Sequence, residues 1–285
     1  MDKKTLYTSS YNNIIKSMAE TCGCTQKTIK NYIKSSQPLE NTFPDSINLV
    51  SFFRGIGVKF RGNTELFNKI KFEACVMSHS TSRIAPPDES DVLYTIKVLS
   101  DKTELSTFLE SKGITFKETS KGLNAYYNNE LLDWDKFDSS YAARLRGRLK
   151  KKGRRVDNCI NGFLINAHFW KDSNVTHIKD CPELVSDLCH QIKRYDIVRE
   201  WEETRTPYAL GFLVDVKDII FDEYTRYKTI KSKVYFIYKN VIYYLIQDYH
   251  SKWNPRFDNL MLRLKDNITV SKSNIIGYYK IEDEE

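Results

Sequence analysis

The densest run of charge in the sequence is RLRGRLKKKGRR, Arg144 to Arg155, in which eight of twelve residues are Lys or Arg. Cations packed that closely favour polyanions, and their contacts with phosphate oxygens add salt-dependent affinity without reading base sequence. With Leu145 and Leu149 turned inward on a helix, Arg144, Arg146, Arg148, Lys150, Lys151, Lys152, Arg154 and Arg155 form a basic ridge for nucleic acid or another acidic partner. The plainer reading is a solvated helix end whose cations complement the helix dipole. His177, Cys181, Cys189 and His190 bring zinc-ligand types within fourteen residues. They lack the tight ligand pairs of a zinc site, and Cys189 and His190 fall on opposite sides of a helix, so buried thiols are expected and no cofactor. The chain has no Walker-type phosphate loop, no Gly-rich dinucleotide turn, no HExxH and no GxSxG.

Side chains that meet a nucleic acid need an element to present them, and Ile14 to Lys34, IIKSMAETCGCTQKTIKNYIK, has the most specific pattern for one. Ala19 lets two helices cross closely, Gly23 four positions later accepts the positive φ that ends the first, and Ile29 fills the space between them. Thr25 stands where the second helix needs its N-cap. On that helix Ile29, Tyr32 and Ile33 share one face, while Gln26, Lys27, Lys30, Asn31 and Lys34 lie on or near the other. This spacing resembles the helix-turn-helix motif of repressors and recombinases, over about twenty of the 285 residues. The resemblance implies that the second helix enters a DNA groove, with Lys27, Lys30 and Lys34 on phosphates and Gln26 and Asn31 at base edges, Thr25 opening the helix. It also implies a homo-oligomer on repeated half-sites, although no heptad run marks a dimerisation helix.

A weaker resemblance concerns Asp215, Val216 and Lys217, which on a strand are similar to the terminal acid-x-Lys element of Mg²⁺-dependent nucleases of the restriction-enzyme type. That resemblance implies a carboxylate holding Mg²⁺ and a Lys orienting the attacking water. The carboxylates that should complete the site cannot be singled out among the many upstream.

Around these motifs the sequence predicts an α+β protein: a helical unit at residues 1–77, a Pro/Ser-rich linker at 78–90, and a larger mixed domain at 91–285, divisible at 160/161. Helices are expected from Ser10 to Cys22, Thr25 to Ser35, Asp45 to Phe53, Asn63 to Met77, Lys102 to Lys112, Asp138 to Lys152 and Pro182 to Glu203. Arg54 to Phe60, RGIGVKF, reads as a wing-like hairpin or a loop. Strands are expected at Asp91 to Ser100, Ile114 to Phe116 and Ala125 to Tyr127, with Asn161 to Trp170 a buried strand or helix. A mostly antiparallel C-terminal sheet is expected from Tyr208 to Val216, Val234 to Tyr238, Val241 to Gln247 and Asn274 to Ile281, with a hairpin turn at Lys239 and Asn240. Its aromatics, Tyr224, Tyr227, Tyr235, Phe236, Tyr238, Tyr243, Tyr244 and Tyr249, alternate with Arg226, Lys228, Lys231, Lys233 and Lys239. Such a surface stacks bases, forms a protein interface, or simply packs.

Composition sets the outer limits. Hydrophobic residues at 41% and charged residues at 28%, with 18 Tyr and 15 Phe, suffice for real cores. Six scattered Cys and an N-terminus, MDKKTLYTSS, without an apolar stretch point to a reducing, cytoplasmic setting, and no run is long enough to span a membrane. The abundance of Lys, Asn, Ile and Tyr suits an AT-rich bacterium, phage or plasmid. Three functions are therefore expected, in this order. The first is a non-enzymatic DNA-binding regulator of a bacterium or mobile element. The second is a phage- or plasmid-encoded protein that binds and inhibits a host defence complex, and the third a nuclease or recombinase using Asp215 and Lys217.

Overall fold

The computed structural model describes residues 3–39, 43–150, 156–172, 175–177, 179–221 and 226–282. The first part of the chain forms β1 (Thr5–Leu6), α1 (Tyr11–Cys22), α2 (Gln26–Ser35), α3 (Leu49–Gly55), α4 (Asn63–Ile70) and β2 (Ala74–Arg83). There follow α5 (Thr95–Ser100), α6 (Glu104–Ser111), β3 (Ile114–Thr119), β4 (Gly122–Tyr127), β5 (Glu130–Leu131), α7 (Ser140–Arg148) and β6 (Asn161–Phe163). The last part gives α8 (Glu183–Ile192), α9 (Tyr195–Thr204), β7 (Thr206–Asp215), β8 (Ile219–Ile220), α10 (Ile230–Tyr249), β9 (Met261–Leu264) and β10 (Ile275–Lys280). The fold is α+β, as expected. No helix among the described residues is long and apolar enough to cross a membrane.

Two compact units divide the chain, each built from three separate segments. The first takes Met1–His79, Asn161–Ser173 and Gly211–Arg263; the second takes Ser80–Ile160, Asn174–Leu210 and Leu264–Glu285. The sequence reading expects a boundary in the 78–90 linker and a further division at 160/161. A unit boundary does fall at residues 79/80, but Ser78 to Arg83 are the second half of strand β2. Short polar side chains hide this strand from a hydropathy reading: Ser78 and Ser82 are buried, and Ser82 Oγ accepts a hydrogen bond from Trp201 Nε1 at 2.8 Å.

The first unit is organised around α10, where the sequence predicts two strands and a hairpin. A capping box, in which Thr229 and Ser232 bond each other's backbone N–H, starts the helix. Val234, Ile237, Tyr238, Val241 and Leu245 then recur at helical spacing, and all are fully buried. A helix buried on nearly every side need not alternate polar and apolar faces, so its β-branched and aromatic content mimics strand. Tyr238 sits at its centre, edge-on to Phe53 at 5.2 Å and Phe72 at 5.3 Å, and donates its hydroxyl to the Ile70 carbonyl at 2.9 Å. In the same unit β1 pairs parallel with β2, β2 antiparallel with β6, and β6 antiparallel with β9.

The second unit packs α5 to α9 and the antiparallel sheet β3-β4-β5 around Leu109, Ile114, Leu145, Leu188 and Trp201. Three sequence expectations change, two here and one between α4 and β2. Asp91 to Ser100 is mainly the helix α5, and the helix expected over Asn63 to Met77 stops at Ile70 to give way to β2. Pro182 to Glu203 breaks into α8 and α9 because Lys193 turns left-handed, at φ 58°.

Candidate nucleic-acid interface

The α1–turn–α2 segment forms as its sequence requires. Ser10 caps α1 by accepting from the Asn13 N–H at 3.2 Å. Gly23 ends the helix at φ 66°, in the left-handed region, and the Cys24 N–H reaches back to the Ala19 carbonyl at 3.1 Å. A Cβ at Gly23 would meet nothing within 4 Å, so the backbone angle alone demands glycine. Thr25 Oγ1 caps α2, accepting from the Thr28 N–H at 3.1 Å. Ala19, Ile29 and Ile33 are buried where the two helices meet.

Tyr32 fixes the outer side of α2. Its ring stands edge-on to Phe52 at 5.0 Å and lies so close over Gly55 that a Cβ there would be 2.3 Å from it. RGIGVKF is accordingly the end of α3 and a loop rather than a hairpin, with Gly55 giving Tyr32 its seat. Anchored this way, α2 leaves Thr25, Gln26, Lys27, Lys30, Asn31 and Lys34 exposed. Lys27, Lys30 and Lys34 follow one another at i, i+3 and i+7, and α2 contains no acidic residue. Like charges at this spacing repel by a few tenths of a kcal/mol per pair. Among the described residues none of Gln26, Lys27, Lys30, Asn31 and Lys34 has an ion pair or a side-chain hydrogen bond.

In the ridge expected at Arg144 to Arg155, the three arginines of α7 are engaged by neighbouring carboxylates and carbonyls. Arg144 Nε donates to Asp187 at 2.8 Å and lies 3.2 Å from Glu183, while Arg148 pairs with Glu183 and, at 3.3 Å, with Asp157. The Asp187 side chain is only 2 % exposed, and its hydrogen bond raises the Arg144 pKa further above the ordinary guanidinium value. Arg146 donates to the Trp134 carbonyl at 2.6 Å. Glu183 and Asp187 stand one turn apart on α8, so the arginines serve as the ionic seam between α7 and α8. Lys150 is exposed; Lys151, Lys152, Arg154 and Arg155 lie outside the described residues.

The remaining sequence candidates do not assemble. Cys181 and Cys189 are buried in the apolar core of the second unit, and burial pushes both thiols up to about 12. His190 stacks on Tyr141 at 4.8 Å. Asp215 accepts from Lys3 at 2.8 Å and lies 3.4 Å from Lys217; the Lys3 hydrogen bond holds its carboxyl below the usual range. Among the described residues no three His, Cys, Asp or Glu side chains group as a metal site. Of the aromatics expected on a sheet surface, Phe236, Tyr238, Tyr243 and Tyr244 are buried on α10, and Tyr224 lies outside the described residues. A feature without any sequence signal is a cleft of about 640 Å³ at the C-terminal end of α2, lined by Tyr32, Leu39, Asn48, Ser51 and Ile246.

Compared with known protein families, with curated proteins and with solved structures, the chain matches none.

Proposed function

We propose that the chain is a non-enzymatic DNA-binding protein that reads DNA with α2, in keeping with a regulator of a bacterium or mobile element. The observation that carries this reading is the outer face of α2: three lysines in one stripe, flanked by Gln26 and Asn31, all exposed and none neutralised by an acid on the helix. Phosphate oxygens relieve the repulsion among Lys27, Lys30 and Lys34, while the two amides have the bidentate geometry that pairs with adenine. The basic run adds less than its composition suggests, since Arg144 and Arg148 are engaged with α8.

Selection of bound sequences from a random DNA pool, followed by titration over a range of salt, tests the proposal. Replacing Lys27, Lys30 and Lys34 together by Ala should weaken binding to all sequences and flatten the slope of log K against log salt by about 2.7. Gln26→Ala or Asn31→Ala should instead cost about 1–3 kcal/mol of discrimination at one base pair. Binding indifferent to all five changes overturns the proposal. The inhibitor of a host defence complex remains the competing reading, and a nuclease-treated pull-down that returns one stoichiometric protein complex favours it.

A further inference from the structure

β10 closes its sheet: it is bonded to β7 along one edge and is the last strand in the order. The Ile281 N–H donates to the Pro207 carbonyl at 2.9 Å, which fixes the direction of the backbone groups. Because a strand alternates, the polar groups of Ile275, Gly277 and Tyr279 turn towards β7 and those of Ile276, Tyr278 and Lys280 towards the outer edge. The side chains on this strand are unusually apolar for an edge: Ile276, Tyr278 and Tyr279 are each close to 40 % exposed, at 40, 38 and 38 %. The turn Pro87–Glu89 packs against β10 and Tyr278 stands edge-on to Tyr208 at 5.7 Å, yet all three side chains keep part of their surface open to water. Edges are ordinarily blunted by charge, proline or a bulge, and IIGYYK carries only Lys280.

We propose that β10 pairs antiparallel with β10 of a second copy of this chain, in a two-fold register centred on Gly277. The register follows from parity and composition. It sets Ile276 opposite Tyr278 of the second copy, and Tyr278 opposite its Ile276. These are the positions whose backbone groups point outward, so each pair exchanges two hydrogen bonds. It also matches a β-branched residue with an aromatic at both places and again at Ile275 and Tyr279, the favourable cross-strand combination. Gly277 meets itself on the axis as a non-hydrogen-bonded pair, with Cα atoms about 4.5 Å apart. Charge selects the direction: exposed Lys272 precedes the strand and exposed Glu282 follows it, so antiparallel pairing brings opposite charges together and parallel pairing brings like ones. The same patch serves both copies, which closes the assembly as a dimer. This dimer does not depend on DNA binding by α2.

Sedimentation equilibrium on the full chain should give twice the chain mass of 33.5 kDa, and the Ile276→Lys/Tyr278→Lys variant should return to one chain mass with an unchanged circular dichroism spectrum. Gly277→Cys supplies the independent measurement. A Cβ at Gly277 meets nothing within 4 Å, and the axial Cα separation lies within the 4.4–6.8 Å or so that a disulfide spans. Under diamide this variant should form a covalent dimer on a non-reducing gel at least tenfold faster than Tyr278→Cys, which is off the axis, or than the native chain. A monomer at every concentration, a dimer that survives both lysines with the fold intact, or equal cross-linking at positions 277 and 278 overturns the register.

Discussion

Asp187 is where the charge balance of the second unit is decided. Its side chain is only 2 % exposed; it holds Arg144 by hydrogen bonds and lies 4.0 Å from Arg148, which it shares with Glu183. Removing one member of a buried ion pair leaves the others desolvated without compensation, at a cost of about 3–5 kcal/mol. Arg144 keeps 38 % of its side chain open to water and can rehydrate, so Asp187→Ala should lose about 3 kcal/mol, the lower end of that range, in urea denaturation. Glu183 still engages both arginines, so the same variant should leave the salt slope of the proposed DNA binding unchanged. If that slope rises, the freed guanidinium groups have reached phosphate.

At the scale of the element, α1 and α2 are joined by a turn whose geometry rests on one residue. Gly23→Ala introduces no clash, because its Cβ has open space, yet it must hold an alanine left-handed. The expected loss is about 1–2 kcal/mol, read as a fall of several degrees in Tm, with the helix content kept. The turn, the Thr25 cap and the buried trio Ala19, Ile29 and Ile33 are legible in the sequence because each depends on neighbours within about fifteen residues. The exposed face of α2 follows from the same local pattern. By contrast, α10 was hidden because its partners Phe53 and Phe72 lie far away in the chain and bury it all round, which removes the polar stripe that marks a helix. The ion pairs of the α7 arginines are hidden from the sequence for a similar reason, since Glu183 and Asp187 become their partners only when α8 folds alongside. β2 was missed because Ser78 and Ser82 occupy buried positions that hydropathy reserves for apolar residues.

For the whole molecule, the path of the chain matters as much as its elements. It passes between the two units five times, and each unit needs three separate segments. Residues 1–79 expressed alone would keep the helix-turn-helix sequence and lose α10, β6 and β9, and with them the surfaces that bury Phe53, Phe72 and Ile70. That fragment should show no cooperative thermal transition and little dispersion in its NMR spectrum. A sharp melt from residues 1–79 would mean that α10 is dispensable to the first unit.

The contact between Cys22 and Tyr238 spans 216 residues of chain. At a synthesis rate of roughly 5–20 residues per second, the N-terminal helices leave the ribosome some ten to forty seconds before the helix that covers them. During that interval Ile14, Ile15, Met18, Phe52 and Phe53, all destined for the interior, have no lasting cover. Nascent chains stalled before residue 230 should therefore recruit chaperones that recognise apolar segments, and chains released after residue 263 should not. What holds the first unit together in the finished protein thus also sets when, during its synthesis, α2 can be held in place.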